Sequence, residues 1–403
     1  MKRFFQPTRR LALPEFVAMM ATISAVVAFS IDSMLPALPQ IAAALTPDDV
    51  NRAQLVLTSF MAGMGVGTFF SGPISDALGR RKTITIGFAI YGCAAFAAMM
   101  SDTLGALLAA RFVMGLGASA PRIATMAVVR DLYSGREMAR ITSFVAMVFI
   151  LIPAVAPLLG RVVIDIFGWH GVFGSFIALA IVGSLWVNSR QPETLPPERR
   201  RPFRFSSQMM GVLEALSNAQ VMLVTVVLAL GFGQMFALLS SSEQLYRTTF
   251  GIGEAFPYWF AGMALLAGTA NILNAKLVVR YGMKRMARTA YAMQTVISAI
   301  MVVLVYFDLL PEAFKFPVFF IWTVTVFGMA GVTFGNLNAL ALLKMGHLAG
   351  TTASVVSALS TFGAVAIAGP VGLAFDGTLR PLVLATFICS ALATFLMRWV
   401  SND

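Results

Sequence analysis

The chain is 403 residues long and carries a formal charge of +11, yet only 12% of its residues are Asp, Glu, Lys or Arg, about half the share in soluble domains. With 58% apolar residues and a mean hydropathy of +0.82, it has too little polar surface to keep a globule of this size in water, which excludes a soluble enzyme. A pI near 10.2 suits a nucleic-acid binder only where the basic residues share one folded face; here they lie between long apolar runs, so no nucleic-acid partner is expected. Cys93 and Cys389 sit in apolar stretches, and His170 and His347 are isolated. Neither a disulfide framework nor a metal site is expected from them.

Crossing about 30 Å of hydrocarbon takes about 20 predominantly apolar residues, and the sequence predicts twelve such spans. The first, 16–38, follows a basic start with Lys2, Arg3, Arg9 and Arg10. It is longer than a signal-peptide core and contains Asp32, which predicts a retained helix rather than a cleaved leader. Spans 53–74 and 83–100 enclose a short loop with Gly72, Asp76, Gly79, Arg80, Arg81 and Lys82. The fourth span, 103–129, carries Arg111 and Arg122, the fifth, 138–163, carries Pro153, Pro157 and Gly160, and the sixth is 172–187. A polar stretch, 189–208, follows with Pro192, Pro196, Pro197 and Pro202 and a basic cluster from Arg199 to Arg204. Prolines stiffen such a connector. The remaining spans are 221–241, 257–279, 290–310, 318–343, 353–375 and 382–400. The expected organisation is a six-helix half, 1–188, a cytoplasmic linker, 189–215, and a second six-helix half, 216–403.

Orientation follows from Lys and Arg, which favour the cytoplasmic side. One side collects the basic residues of 2–10, 80–82, 130–140, 190–204 and 276–288 with Lys344 and Arg398. The other holds only Arg52, Arg161, Arg247, Lys315 and Arg380. Both termini are therefore expected in the cytoplasm.

An internal repeat supports the midpoint. The segment from Gly72 to Lys82 matches that from Ala275 to Arg285, each ending an apolar helix, turning at a glycine and presenting basic residues. Parallel halves related in this way are one of the repeat types of membrane transporters. In the first copy Asp76 has two readings: a carboxylate that pairs with the basic triplet or caps a helix N-terminus, and so latches a gate, or one charge in an ordinary polar turn.

Ionisable groups in hydrocarbon are costly and mark pathways. Asp32 is the one acid well inside a predicted span, about 9 Å below the helix end, and Arg111 lies about 12 Å below the same side. Asp32 is read as a proton carrier tuned by Arg111; a fixed ion pair joining two helices is the other reading. Arg122, eleven residues beyond Arg111, returns to nearly the same face about 16.5 Å away. It is either a second cavity charge or a side chain that snorkels to the headgroups. Gly63, Gly65, Gly67, Gly115 and Gly117 allow close helix contact, and Pro153 and Pro157 bend the fifth span. Gln234, Phe236, Asn271, Asn274, Asn336 and Asn338 are candidate substrate contacts, with interhelical hydrogen bonding the plainer reading for the amides.

The segment from Gly72 to Lys82 resembles the loop signature of the major facilitator superfamily: glycine, three residues, aspartate, a basic residue, any residue, glycine and basic residues. It departs at Ala77, where a basic residue is usual. Further segments resemble the bicyclomycin and chloramphenicol resistance branch of the drug/proton antiporters. These are Ile31 to Pro39, Arg111 with Gly115 and Gly117, Arg130 to Tyr133, Pro153 with Pro157 and Gly160, Gly346 to Gly350, and Asp376 to Thr378. Arg161 stands where that pattern has a small residue. The resemblance implies an all-α, twelve-helix protein of the bacterial inner membrane, with two six-helix halves around a central cavity lined by the first and fourth helices. It implies a monomer that exports small lipophilic compounds against protons, with the proton motive force in place of any cofactor. Proton-linked transport of one metabolite is the alternative. A polytopic enzyme acting on lipids is a third reading, but the sequence shows no clustered nucleophile, acid/base or metal set for it.

Overall fold

The computed structural model describes residues 11–200, 205–343 and 345–401. Lys2, Arg3, Arg9, Arg10, Arg201, Arg204 and Lys344 of the basic segments lie outside the described residues, as do the side chains of Arg136 and His347. Every backbone polar group in hydrocarbon must be satisfied within its own segment or a closed barrel, and this chain answers with helices. They are α1 (Leu13–Asp32), α2 (Leu38–Leu45), α3 (Leu55–Leu78), α4 (Arg80–Met99), α5 (Leu104–Leu132), α6 (Gly135–Arg190), α7 (Phe205–Ser217), α8 (Ala219–Gln244), α9 (Phe256–Tyr281), α10 (Met283–Tyr306), α11 (Glu312–Leu342), α12 (Ala349–Leu373) and α13 (Arg380–Leu396). No strand occurs among the described residues.

Ten helical segments are long and apolar enough to cross a membrane among the described residues. One of them, Leu151–Arg190, is the main part of α6, which is two helices meeting at Gly168, where the backbone leaves the helical region with φ of +68°. That break separates the predicted fifth and sixth spans, and the shorter apolar α13 falls in the last predicted span. Large apolar side chains lie open on the outer faces: Phe167 is 69% exposed and Val279 90%. In water such a surface would aggregate; in lipid it is solvated.

Two ends differ from the sequence expectation for physical reasons. The first span was expected to run unbroken through Leu38, but α1 stops at Asp32 and the chain passes through a 3₁₀ turn, Leu35–Ala37, into α2. Pro36 has no N–H to give the Asp32 carbonyl, so the α-helix cannot continue. Asp32 therefore ends its helix rather than lying inside it. The linker is not wholly extended either: beyond its last proline, Pro202, α7 forms and buries Val212 and Ala215, three residues apart.

By internal contacts the chain divides into two compact units, one of Met1–Leu45 and Ser59–Gln208, the other of Thr46–Thr58 and Met209–Asp403. In the first, α1 packs on α5 and α6, and α4 packs on α5 and α6. Close helix approach is written in glycines: a methyl at Gly63 would land on the Phe112 carbonyl oxygen, and one at Gly115 on that of Phe60. Glu15, in the first turn of α1, takes both Nε and Nη2 of Arg190 at 2.8 Å, which ties the start of α1 to the end of α6. In the second unit α8 packs on α12, α13 and α11, and α10 packs on α11 and α13.

The second unit also holds a chain of neutral amides. Gln54 Nε2 donates to Gln244 Oε1 at 2.6 Å, Gln244 Nε2 to Asn51 Oδ1 at 2.7 Å, and Asn51 Nδ2 to the carbonyls of Leu373 and Phe375 at 3.2 and 2.8 Å. Gly372 is required there, since any β-carbon would strike Gln54 Oε1. Beside it Glu243 is 3% exposed and pairs with Arg247 at 2.7 Å. In the turn after α12, Asp376 Oδ1 accepts from the Thr378 amide at 3.0 Å and its hydroxyl at 2.6 Å, which holds the Asp376 carboxyl below the usual carboxylate range.

A residue whose absence of side chain is structural gives the first test. In α6, Gly160 lies against Ser33, so that a β-carbon would meet the Ser33 carbonyl oxygen. Gly160→Leu is expected to lower stability by about 1–3 kcal/mol through overpacking, read as a fall in the thermal unfolding midpoint in detergent, whereas Gly105→Leu, in open space, should leave it unchanged.

Candidate functional site

The end of α1 gathers the polar groups of the first unit. A helix leaves its last carbonyls without intrahelical partners. Here the Ser33 amide turns back to Phe29 and the Met34 amide to Ile31, so the Ser30 carbonyl is free to accept elsewhere. Arg111 of α5 supplies the donor, its Nη2 lying 3.1 Å from Ser30 O. The cation also complements the negative end of the α1 dipole. Its side chain has no exposed surface, and the guanidinium carbon stands 4.5 Å from the Phe60 ring centroid and 6.0 Å from that of Phe176. Aromatic faces of this kind stabilise a desolvated cation.

Ser30 carries a second contact: its Oγ bonds back to the Val26 carbonyl at 2.6 Å and lies 2.5 Å from Tyr91 Oη of α4. Tyr91 is itself fully buried. Asp32, two residues on, is 4% exposed. Among the described residues no side-chain hydrogen bond or ion pair engages its carboxylate, and it forms none with Arg111. The guanidinium instead holds the backbone of the same turn. Gly160 brings α6 against Ser33, the next residue, so the sequence-predicted Asp32, Arg111 and Gly160 meet at one end of α1. Pro157 is buried on the same helix and Pro153 half-buried. Arg161 turns away to Asp165 at 2.9 Å.

Arg122 lies further along α5. It is half-buried, and its Nη1 is 3.9 Å from Met64 Sδ of α3, a weak acceptor for a cation. No carboxylate lies within ion-pair distance of it among the described residues.

The loop between α3 and α4 forms a separate hub. Gly79, with φ of +97°, makes the turn and opens α4. Arg80 is buried and reaches three oxygens: Asp76 Oδ1 at 2.5 Å, Asp131 Oδ2 at 3.0 Å and Ser75 Oγ at 3.1 Å. Asp76 thus pairs within the loop, while the capping is done by Glu193 from the linker, whose oxygens accept from the amides of Arg80 and Arg81 at 3.0 and 3.2 Å. Arg81 binds Asn188 through Oδ1 at 3.0 Å and the carbonyl at 2.6 Å. Thr194 Oγ1 adds a bond to Asp131 at 2.9 Å. Gly72 is half-buried, and Lys82 is exposed.

The candidate substrate contacts are scattered over the second unit. Gln234 is fully buried, and its Oε1 accepts from Ser390 of α13 at 2.8 Å. Asn336 of α11 donates to Asn274 of α9 at 2.9 Å and to the Val332 carbonyl at 2.8 Å. Asn338 bonds the Phe334 carbonyl at 2.9 Å, Asn271 packs against Gly331, and Phe236 is buried beside Phe232, with centroids 5.7 Å apart. Gln234 thus ties α8 to α13 and Asn336 ties α11 to α9, while Asn338 bonds within its own helix.

Sequence reading missed Ser30, Tyr91 and Glu193. A serine or tyrosine in an apolar run carries little signal, and Glu193 was one acid in a polar linker.

Ten helical segments long and apolar enough to span a membrane among the described residues, with charge buried at the end of the first helix, define a polytopic α-helical membrane protein. The sequence profile of the Major Facilitator Superfamily matches residues 20–370, and the chain belongs to this superfamily of membrane transporters. It is 28% identical over 347 residues to a bicyclomycin resistance protein homolog of Haemophilus influenzae, covering 85% of each chain. It is also 28% identical over 276 residues to a chloramphenicol resistance protein of Pseudomonas aeruginosa, covering 68% of this chain and 64% of that one. In fold it resembles the crystal structure of a D-xylose–proton symporter, with a TM-score of 0.77 and 12% identity over 97% of this chain and 99% of that one.

The hub's two carboxylates differ in exposure, 51% for the Asp76 side chain and 23% for Asp131. Asp131→Ala is expected to cost about 1.5–3 kcal/mol, as for a hydrogen bond to a charged group, and Asp76→Ala under about 1 kcal/mol, as for an exposed pair. Thermal unfolding in detergent checks the order; equal losses would contradict it.

Proposed function

We propose that this transporter exports small lipophilic compounds, drugs among them, across the bacterial inner membrane in exchange for protons. It works by alternating access, in which a bound compound is exposed first to one side and then to the other. The halves 1–188 and 216–403 are the moving bodies, joined by the linker 189–215. Both termini are cytoplasmic, and the transporter acts as a monomer driven by the proton motive force. Similarity to proteins named for bicyclomycin and chloramphenicol resistance supports the substrate class.

The observation that carries the coupling is Asp32. A buried carboxylate without a cationic partner, at the negative end of a helix dipole, is costly while ionised; a proton relieves that cost and its loss restores it. Arg111 is the positioning residue: it pins the Ser30 turn and so fixes where Asp32 stands. Arg122 offers a second cationic contact along the same helix. The loop of Gly72, Asp76, Gly79, Arg80, Arg81 and Lys82 is the gate latch, since its ion pairs join α3, α4 and α5. Pro153, Pro157 and Gly160, which resemble the antiporter pattern, shape a seam in α6 that resists leakage. Gln234, Phe236, Asn271, Asn336 and Asn338 are the proposed polar and aromatic substrate contacts.

Proteoliposomes under an imposed pH gradient, offered amphenicols, bicyclic antibiotics, lipophilic cations and common metabolites, provide the test. Drug movement opposite to protons is expected from the native protein, and Asp32→Asn should abolish gradient-driven accumulation while leaving binding within about tenfold. Accumulation of a metabolite down the proton gradient with no drug moved would overturn the export reading. Undiminished coupling in the Asn variant would remove Asp32 from the mechanism.

A further inference from the structure

The second copy of the internal repeat differs electrically from the first. In the first copy the first basic residue, Arg80, is paired with Asp76 and Asp131. At the matching positions of the second copy, Asp76 gives way to Val279 and Arg80 to Met283. Val279 is 90% exposed. Arg280, Lys284 and Arg285 have no carboxylate within ion-pair distance among the described residues. Arg280 and Arg285 instead flank one ring, their guanidinium carbons 5.4 and 5.5 Å from the Tyr281 centroid.

Arg285 and Tyr281 line one end of an apolar groove, with Lys284 and Arg280 next to them in the chain. It has a volume of about 550 Å³ and runs along α9, α10 and α11, from Leu266 past Ala270, Leu273 and Met293 to Tyr281 and Arg285. Leu266, Leu273 and Met293 are each more than half exposed, so the groove opens outward from the helices. Leu266 to Tyr281 is fifteen residues of α9, about 22 Å at 1.5 Å per residue, against about 15 Å for one leaflet's share of a 30 Å hydrocarbon core. A groove of that length entered at the headgroup level is long enough to reach past the bilayer centre, and its Arg285 end carries the positive charge.

We propose that this groove is a binding site for an anionic phospholipid. One acyl chain lies along α9 and α10, and the phosphate and headgroup are held by Arg285 with Arg280 and Lys284. Guanidinium groups match phosphate oxygens with paired donors, and basic pockets between membrane helices select acidic headgroups. Each basic residue near an anionic surface contributes about fivefold in binding, so three together favour an anionic over a zwitterionic lipid on the order of a hundredfold. The site requires nothing of the transported compound.

Full-length protein in detergent, titrated with dioleoylphosphatidylglycerol or dioleoylphosphatidylcholine and observed by native mass spectrometry, tests this directly. The native protein is expected to retain phosphatidylglycerol at least tenfold better. The triple variant Arg280→Gln, Lys284→Gln, Arg285→Gln should lose that preference with unchanged circular dichroism, and Ala270→Trp, which fills the groove, should weaken retention of both lipids. Millimolar glycerol 3-phosphate should not displace the lipid. Equal retention of the two lipids by the native protein overturns the proposal, as does an undiminished preference in a folded triple variant. Displacement by the soluble phosphate would mark a bare anion site instead and equally end the lipid reading.

Discussion

Arg111 carries a positive charge to a place without exposed surface, and the cost of desolvating it orders what surrounds it. A buried cation is tolerable only with partners that replace water. α1 provides one because it stops at Asp32 and leaves the Ser30 carbonyl unspent. Phe60 and Phe176 provide aromatic faces, and Tyr91 fixes the Ser30 hydroxyl. Shifting any of these helices by half a turn would strand the guanidinium. The glycines that bring α3 against α5, and α6 against the end of α1, therefore serve the charge as much as the packing.

The same economy explains why Asp32 stands apart. An ion pair with Arg111 would satisfy both groups and lock them together. Binding Arg111 to a backbone carbonyl leaves the carboxylate close by and unengaged. The arrangement suits the proton-carrying role proposed for Asp32: well positioned, but not neutralised in advance by a neighbour.

How much of this was legible in the sequence depends on the range of the contact concerned. The spans are local, and apolar length predicts them, including the two on either side of the break at Gly168. The Gly79 turn and the basic residues after it were legible for the same reason. Pro36 was visible too, but its effect, ending α1 at Asp32, depends on which carbonyl loses its donor. Glu193 caps α4 from more than a hundred residues away, and Tyr91 meets Ser30 across sixty; nothing in either residue's neighbourhood announces its partner. The amide chain of Asn51, Gln54 and Gln244 was unseen because single amides near span ends are common, and only their alignment makes a network. Substrate contacts were the least legible, since amides such as Gln234 and Asn336 look alike whether they face a ligand or a neighbouring helix.

The amide chain has one property that a chain of carboxylates and lysines would lack. Amides neither gain nor lose protons in the physiological range, and neutral hydrogen bonds are little screened by salt. The join between the start of α3 and the ends of α8 and α12 is therefore indifferent to acidification and to the salinity of the surroundings. A cell that meets acid, brine or fresh water presents this part of the protein with the same mechanical task each time.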